Sequence, residues 1–192
     1  MVSILIDDEL LLRSFEPEDA QELFHTVDAS REHLRPWLPW VDMSTRPDHS
    51  LQFIQQSKVQ QRNQEGIALG IIYQRKIIGS MGMHNWDHTL KKAQLGYWIA
   101  KEYEGKGIVQ KCLAAFIDFL FNKAGLNKVE IHFMVNNSRS ARVAEQAGCK
   151  VEGIIRQSYL MNGIYHDIVI TGLLKKEWPG LPHKKSEQFR PT

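Results

Sequence analysis

Apolar residues alternate in short runs through much of this chain and recur at three- and four-residue spacing elsewhere, which predicts both strands and helices. Ile4 to Ile6 and Leu10 to Arg13 flank Asp7-Asp8-Glu9 and read as a short hairpin. Pro17, Glu18 and Asp19 then mark a helix start, because proline suits the first helical position and carboxylates favour the positive helix end. Ala20, Leu23, Phe24 and Val27 continue that helix as one apolar face. The stretch RPWLPW, Arg35 to Trp40, is too rich in proline for helix or strand and is expected as a loop. A second helix is predicted from near Pro47 to Arg62, with Leu51, Ile54 and Lys58 on one side.

Three strands are predicted next, at Ile67 to Tyr73, Lys76 to His84 and Ala93 to Ala100. Gln74 and Arg75 fill the first gap, and His84 to Lys92 reads as a polar connection. Such short links imply an antiparallel meander. Beyond it, Gly105 and Gly107 open a long helix marked by Ile108, Cys112, Leu113, Phe116, Phe119 and Leu120, which Gly125 stops. With the strand Lys128 to Val135 this makes a βαβ crossover, which calls for a parallel strand pair. A short helix follows Asn137 and ends at Gly148. The last hairpin turns at Asn162-Gly163 and its second arm runs from Tyr165 to Leu174. The expected fold class is α/β or α+β, with a mixed sheet centred on the crossover.

Composition narrows the picture further. A length of 192 residues suits one domain, placed at 1–178, with a polar, proline-punctuated tail over 179–192. A formal charge of +2 and the lack of an RNA-binding motif argue against nucleic acid as a partner. No apolar run approaches the roughly 18 residues of a membrane span. The apolar start is broken by Asp7, Asp8 and Glu9 and fails as a signal peptide, so a soluble, cytoplasmic protein is expected. Cys112 and Cys149 form no metal or redox spacing and read as reduced core residues. His84 and His88 in HNWDH lack a third ligand, so no metal is expected.

The segment LGYWIAKEYEGKGIVQKCLAAFIDFLF, Leu95 to Phe121, carries the chemistry. A strand that enters a glycine loop and then a helix is an anion site: glycine lets the backbone approach, and the first helical N–H groups are unpaired. Lys106 and Lys111 would add full charges toward a pyrophosphate. A plain strand-to-helix turn would need the same glycines. The loop lacks GxxxxGK[ST] of a P-loop and the third glycine of GxGxxG, so neither nucleotide fold fits.

This segment resembles motif A of the GNAT acetyltransferases, and LRPWLPW, NNSRSARVAEQAGCKVEG and YLMNGIYHDIVITGLLKKEW extend the likeness over nearly the whole chain. It is most similar to the branch of ribosomal-protein N-terminal acetyltransferases, the RimJ/RimL type. The family loop [QR]-x-x-G-x-[GA] here reads Glu104, Gly105, Lys106, Gly107, Ile108, Val109, with Glu104 and Val109 as departures. A carboxylate near phosphate must point away or be paired. The resemblance implies acetyl-CoA as co-substrate and a mostly antiparallel sheet whose central parallel strands splay apart. It places the backbone of Trp98, Ile99 and Ala100 against the pantetheine amides. Asn137 and Ser140 match the family's Asn-x-x-Ser, with Asn137 on the pantetheine arm and Ser140 toward the sulfur as proton donor. Asn137 equally suits a helix N-cap. Arg142, beside Arg139, would meet the 3′-phosphate.

The same resemblance implies direct attack by a neutral amine without an acyl-enzyme. His84 is the expected base, with Tyr159 and Glu102 as alternatives. Trp37, Trp40, Tyr97 and Tyr159 are expected on the acceptor side. The acceptor is read as a protein N-terminus, with a ribosomal protein favoured. A small amine (polyamine, amino acid or antibiotic) is the alternative, and a non-catalytic CoA-binding module is the reading from another class. The late hairpin offers an edge on which two copies could pair as a homodimer.

Overall fold

The computed structural model describes residues 2–181, so most of the expected tail, residues 182–192, lies outside the described residues. Strands β1 (Ser3–Leu5) and β2 (Leu10–Ser14) form the first hairpin. Helices α1 (Ala20–Ala29), α2 (Arg31–Leu34) and α3 (Pro47–Arg62) follow, then the meander β3 (Ile67–Tyr73), β4 (Lys76–Asp87) and β5 (Lys92–Ile99). Helix α4 (Ile108–Asn122), strand β6 (Lys128–Met134), helix α5 (Ser138–Gln146) and the hairpin β7 (Lys150–Met161) and β8 (Ile164–Leu174) complete the chain. The strands make one sheet in the order β1-β2-β3-β4-β5-β6-β8-β7, antiparallel except for β5 beside β6.

Local chemistry explains most boundaries. Gly107 has a left-handed φ of 72° and caps α4. Gly125, at φ 75°, turns the chain back so that the Leu126 amide donates to the Leu120 carbonyl. Asn162 and Gly163 are both left-handed, as a two-residue hairpin turn demands. Two expectations fail. The segment from His84 is not a loose connection: β4 continues to Asp87, whose carboxylate accepts the Leu90 amide and tightens the hairpin to β5. The proline-rich stretch is not all loop either, because Pro39 opens a 3-10 turn over Pro39–Asp42. The Arg31 guanidinium clamps that turn by donating to the Val41 and Ser44 carbonyls, which holds Trp40 in place.

The two faces of the sheet are packed differently. Alternate residues of β3, β4, β5 and β6, among them Leu69, Met81, Leu95 and Ile131, meet Leu113, Phe116, Ile117 and Leu120 of α4 in the larger core. The opposite face carries a smaller core under α1 and α3, with Leu23, Val27, Ile54 and Ile72. On that face the middle of the meander offers little bulk: Ala68, Gly82 and Gly96 lie in register across three strands. Helix and sheet cannot close over so shallow a surface, and a cavity results.

Candidate active site

The site begins where the parallel pair comes apart. Strands β5 and β6 are in register only from Lys92 and Lys128 to Leu95 and Ile131. Beyond that, β5 stays with β4 as far as Ile99, and β6 stays with β8 as far as Met134. The gap between them is a cleft of 540 Å³ lined by β5, β6 and the first turns of α4 and α5. Ala100 donates its amide to the Ile78 carbonyl on the β4 side. Successive residues of a strand aim their N–H and C=O at opposite edges, so Trp98 faces β4 as Ala100 does, while Tyr97 and Ile99 face the gap. Of the three residues expected to offer backbone bonds, only Ile99 points the right way, and Tyr97 joins it.

At the mouth of the cleft, Gly105 and Gly107 hold φ of 71° and 72°, and a Cβ on either would meet nothing within 4 Å. The glycines are there for conformation, and the space above them is open to a ligand. Lys106 lies over the Tyr103 ring at 5.0 Å. Ile108 is buried in the core, so only its backbone can serve the loop, whereas Val109 lines the cleft. Lys111, expected to reach a pyrophosphate, pairs instead with Asp7 at 3.2 Å. Glu104 is paired, as its position required: its Oε1 lies 3.1 Å from His33 of α2 and 3.2 Å from Arg139 of α5. That carboxylate joins two walls of the mouth. Arg142 is exposed on α5 and lines neither cavity.

On the far wall, Asn137 caps α5 through its Oδ1, which accepts the Ser140 amide at 3.1 Å. The capping role is real, and it leaves the Asn137 side-chain NH2 for another partner. Ser140 and Asn137 both line the cleft. The Tyr97 hydroxyl crosses to within 3.5 Å of the Ser140 carbonyl, a long contact that leaves the proton available. Burial holds the Tyr97 phenol well above its ordinary range, so it stays a donor. Burial also pushes the Cys112 thiol up to about 12 and Cys149 to about 11, and neither can be an activated nucleophile.

A second cavity of 720 Å³ lies on the other face, under α1, α3 and the Pro39 turn. Leu38, His84, Gly96, Tyr97 and Trp98 line both spaces, so the two meet at the edge of the splay. The tryptophans divide: Trp37 faces the cleft, and Trp40 faces the second cavity with its ring 6.1 Å from that of Trp98. Tyr159 lines the cleft rather than the second cavity. His84 stands at the junction, and desolvation together with the His132 imidazole lowers its pKa. His132 was not apparent from spacing as a site residue. It lies on β6 beside the cleft, 3.1 Å from Glu130, which also binds Lys92 and Lys128. Its signal was the alternation Lys128, Glu130, His132 in a strand otherwise apolar. His88 is held elsewhere, stacked on Trp86 and bonded to the Gln64 carbonyl.

Comparison with known proteins agrees with this geometry. A family model for the acetyltransferase (GNAT) domain matches residues 9–150. YdaF of Bacillus subtilis (strain 168), named a ribosomal N-acetyltransferase by inference, is 34% identical over 181 residues, 94% of this chain and 99% of its own. The [ribosomal protein uS5]-alanine N-acetyltransferase of Escherichia coli (strain K12) is 26% identical over 182 residues, 92% of this chain and 93% of its own. The microcin C7 self-immunity acetyltransferase MccE, solved with acetyl-CoA and AMP, has a TM-score of 0.84 at 26% identity, covering 88% of this chain and 94% of that one. A splayed parallel pair, a left-handed glycine loop and a match over most of the chain converge on one assignment: this protein belongs to the GNAT acetyltransferase family and is an acetyl-transferring enzyme.

Proposed function

We propose that residues 1–178 act as a single cytoplasmic domain that transfers the acetyl group of acetyl-CoA to the α-amino group of a protein, a ribosomal protein above all. The observation that carries this reading is the meeting of two cavities at one strand edge: a cofactor cleft on one side and an acceptor space on the other. The names of YdaF and the uS5-alanine enzyme support the ribosomal acceptor. MccE, an immunity enzyme solved with AMP, favours a small amine as the second reading.

Acetyl-CoA, when bound, supplies an activated acetyl thioester. The open edge of β5 at Tyr97 and Ile99 and the unfilled space over Gly105 and Gly107 fit its pantetheine arm and pyrophosphate, with Lys106 and the first amides of α4 facing the phosphates. An N–H on the open β5 edge would polarise the thioester carbonyl. The leaving sulfur needs a hydrogen bond, which Ser140 and the Tyr97 hydroxyl can give. The attacking amine must be neutral. An α-amine, with a pKa of about 7.7 to 8.0, reaches that state far more readily than a lysine near 10.4. His84 takes the proton, and neither cysteine forms an acyl-enzyme.

The test is acetylation of peptides that carry one free α-amine and one lysine, with the modified nitrogen located by mass spectrometry. Acetylation of the α-amine is expected. Acetylation of lysine alone, or of small amines alone, would overturn the choice of acceptor. A further expectation concerns Glu104, whose ion pair with Arg139 would compete with an incoming phosphate for that guanidinium. Glu104→Gln should tighten acetyl-CoA binding about two- to fivefold at low salt, as a partly exposed pair allows. The gain should vanish at high salt, read by calorimetry. Weaker binding in the variant would mean that the carboxylate positions Arg139 for the cofactor.

A further inference from the structure

The second cavity has a chemistry of its own. Its walls come from Leu23 and Val27 of α1, Phe53 of α3 and Trp40 and Met43 of the clamped turn, over a floor of Ala68, Gly82 and Gly96. Among the described residues that line it there is no Asp, Glu, Lys or Arg. The polar side chains there are Ser44, Ser50, Gln52, Gln60, Ser80, Tyr97 and the histidines His49 and His84, none of them a carboxylate.

An acceptor that enters this space must leave water with whatever flanks its amine. A second ammonium, as in a polyamine or an N-terminal lysine, would find no carboxylate there and would lose its hydration without return. A serine or alanine side chain would leave most of a 720 Å³ cavity unfilled. A bulky apolar group would fill it, against the aromatic and aliphatic walls of Phe53, Trp40, Leu23 and Val27. The small residues of the floor bear on the same point. A Cβ on Gly82 would come within 2.4 Å of the Ile67 carbonyl, so that residue is glycine for the strand pairing, and the depth beneath the helices follows from it.

We infer that the acceptor is an amine flanked by a bulky uncharged apolar group, and that Phe53, Trp40 and Met43 select it. This rests on the acetyltransferase reading above and specifies the substrate of that site. A peptide beginning with phenylalanine, leucine or methionine and a free arylalkylamine share this chemistry.

The experiment measures kcat/KM for matched peptides beginning with Phe, Leu, Met, Ala, Ser and Lys, together with phenethylamine and spermidine. The Phe, Leu and Met peptides are expected to exceed Ala, Ser and Lys about tenfold or more, the scale on which apolar pockets discriminate, with spermidine last. Turnover of phenethylamine without the peptides would assign the same pocket to a free amine. Phe53→Ala should cut the Phe-to-Ala ratio about tenfold. Phe53 also packs on Phe15 at 5.9 Å, so Met43→Glu on the exposed rim gives a second reading, by lowering the Phe peptide and raising spermidine. Acetyl-CoA affinity by calorimetry shows that each variant is folded. Equal or better use of Ser, Ala or spermidine, or no turnover of any amine despite tight acetyl-CoA binding, overturns the inference. Failure to bind acetyl-CoA at all would overturn the catalytic reading beneath it.

Discussion

Changing Gly105 and Gly107 together to valine should lower acetyl-CoA affinity about a hundredfold while leaving the fold intact. Both residues sit in the left-handed region, which costs a non-glycine residue about 1–2 kcal/mol, and more when it is β-branched. Two such costs give about 2–4 kcal/mol, and every 1.4 kcal/mol is tenfold in binding. Neither added side chain meets a neighbour within 4 Å, so the penalty falls on loop conformation and on the space over it, and core packing is spared. Gly125 supplies the control, since it has φ of 75°, the same open surroundings and no place in either cavity. Gly125→Ala carries a comparable backbone cost and should leave the affinity near wild type. Calorimetry on the three proteins decides the matter. Equal binding by the double variant would remove the loop from the cofactor site.

Replacing His84 with glutamine should reduce kcat/KM about a hundredfold or more at neutral pH, the usual scale for a positioned base. The wild-type pH profile should show why. Desolvation and the His132 imidazole across the gap both disfavour the imidazolium at His84, and Glu130 lies behind His132, 3.1 Å away. A base works only unprotonated, so activity should climb with pH through an apparent pKa below 6.5 and be fully developed by neutrality as far as His84 is concerned. A second rise near pH 7.7 to 8.0 would then belong to the acceptor amine itself. In His84→Gln the lower limb should disappear and the upper one remain. An unchanged lower limb would assign it to another group and leave His84 a wall of the cavity.

How much of this was legible beforehand depended on how local the cause was. Glycine at Gly105, Gly107, Gly125 and Gly163 marks left-handed backbone that few other residues adopt, so the loop, the end of α4 and the last hairpin could be read directly. The crossover announced the parallel pair, and the family resemblance announced its splay. Long-range causes were not legible. Glu104 finds His33 and Arg139, each more than thirty residues away in sequence, and nothing near it in the chain names them. Lys111 looked free for a phosphate until the first hairpin brought Asp7 beside it. Which edge of β5 each amide faces depends on pairing with β4, so Ala100 could not be told from Ile99 by residue type. The second cavity is the plainest case, because it is made by what two helices fail to cover.

The early parting of β5 and β6 also bears on how long the protein lasts. These strands share four register pairs at one end and none beyond, which leaves the middle of the sheet short of the ladder bonds that normally knit it. A cofactor seated there would complete that ladder and bind the folded state alone. Mass action then adds stability of about 2.7 kcal/mol when free acetyl-CoA stands a hundredfold above its dissociation constant. The folded population would rise and fall with the supply of acetyl groups, and a cell short of them would hold less of the enzyme as well as less of its substrate.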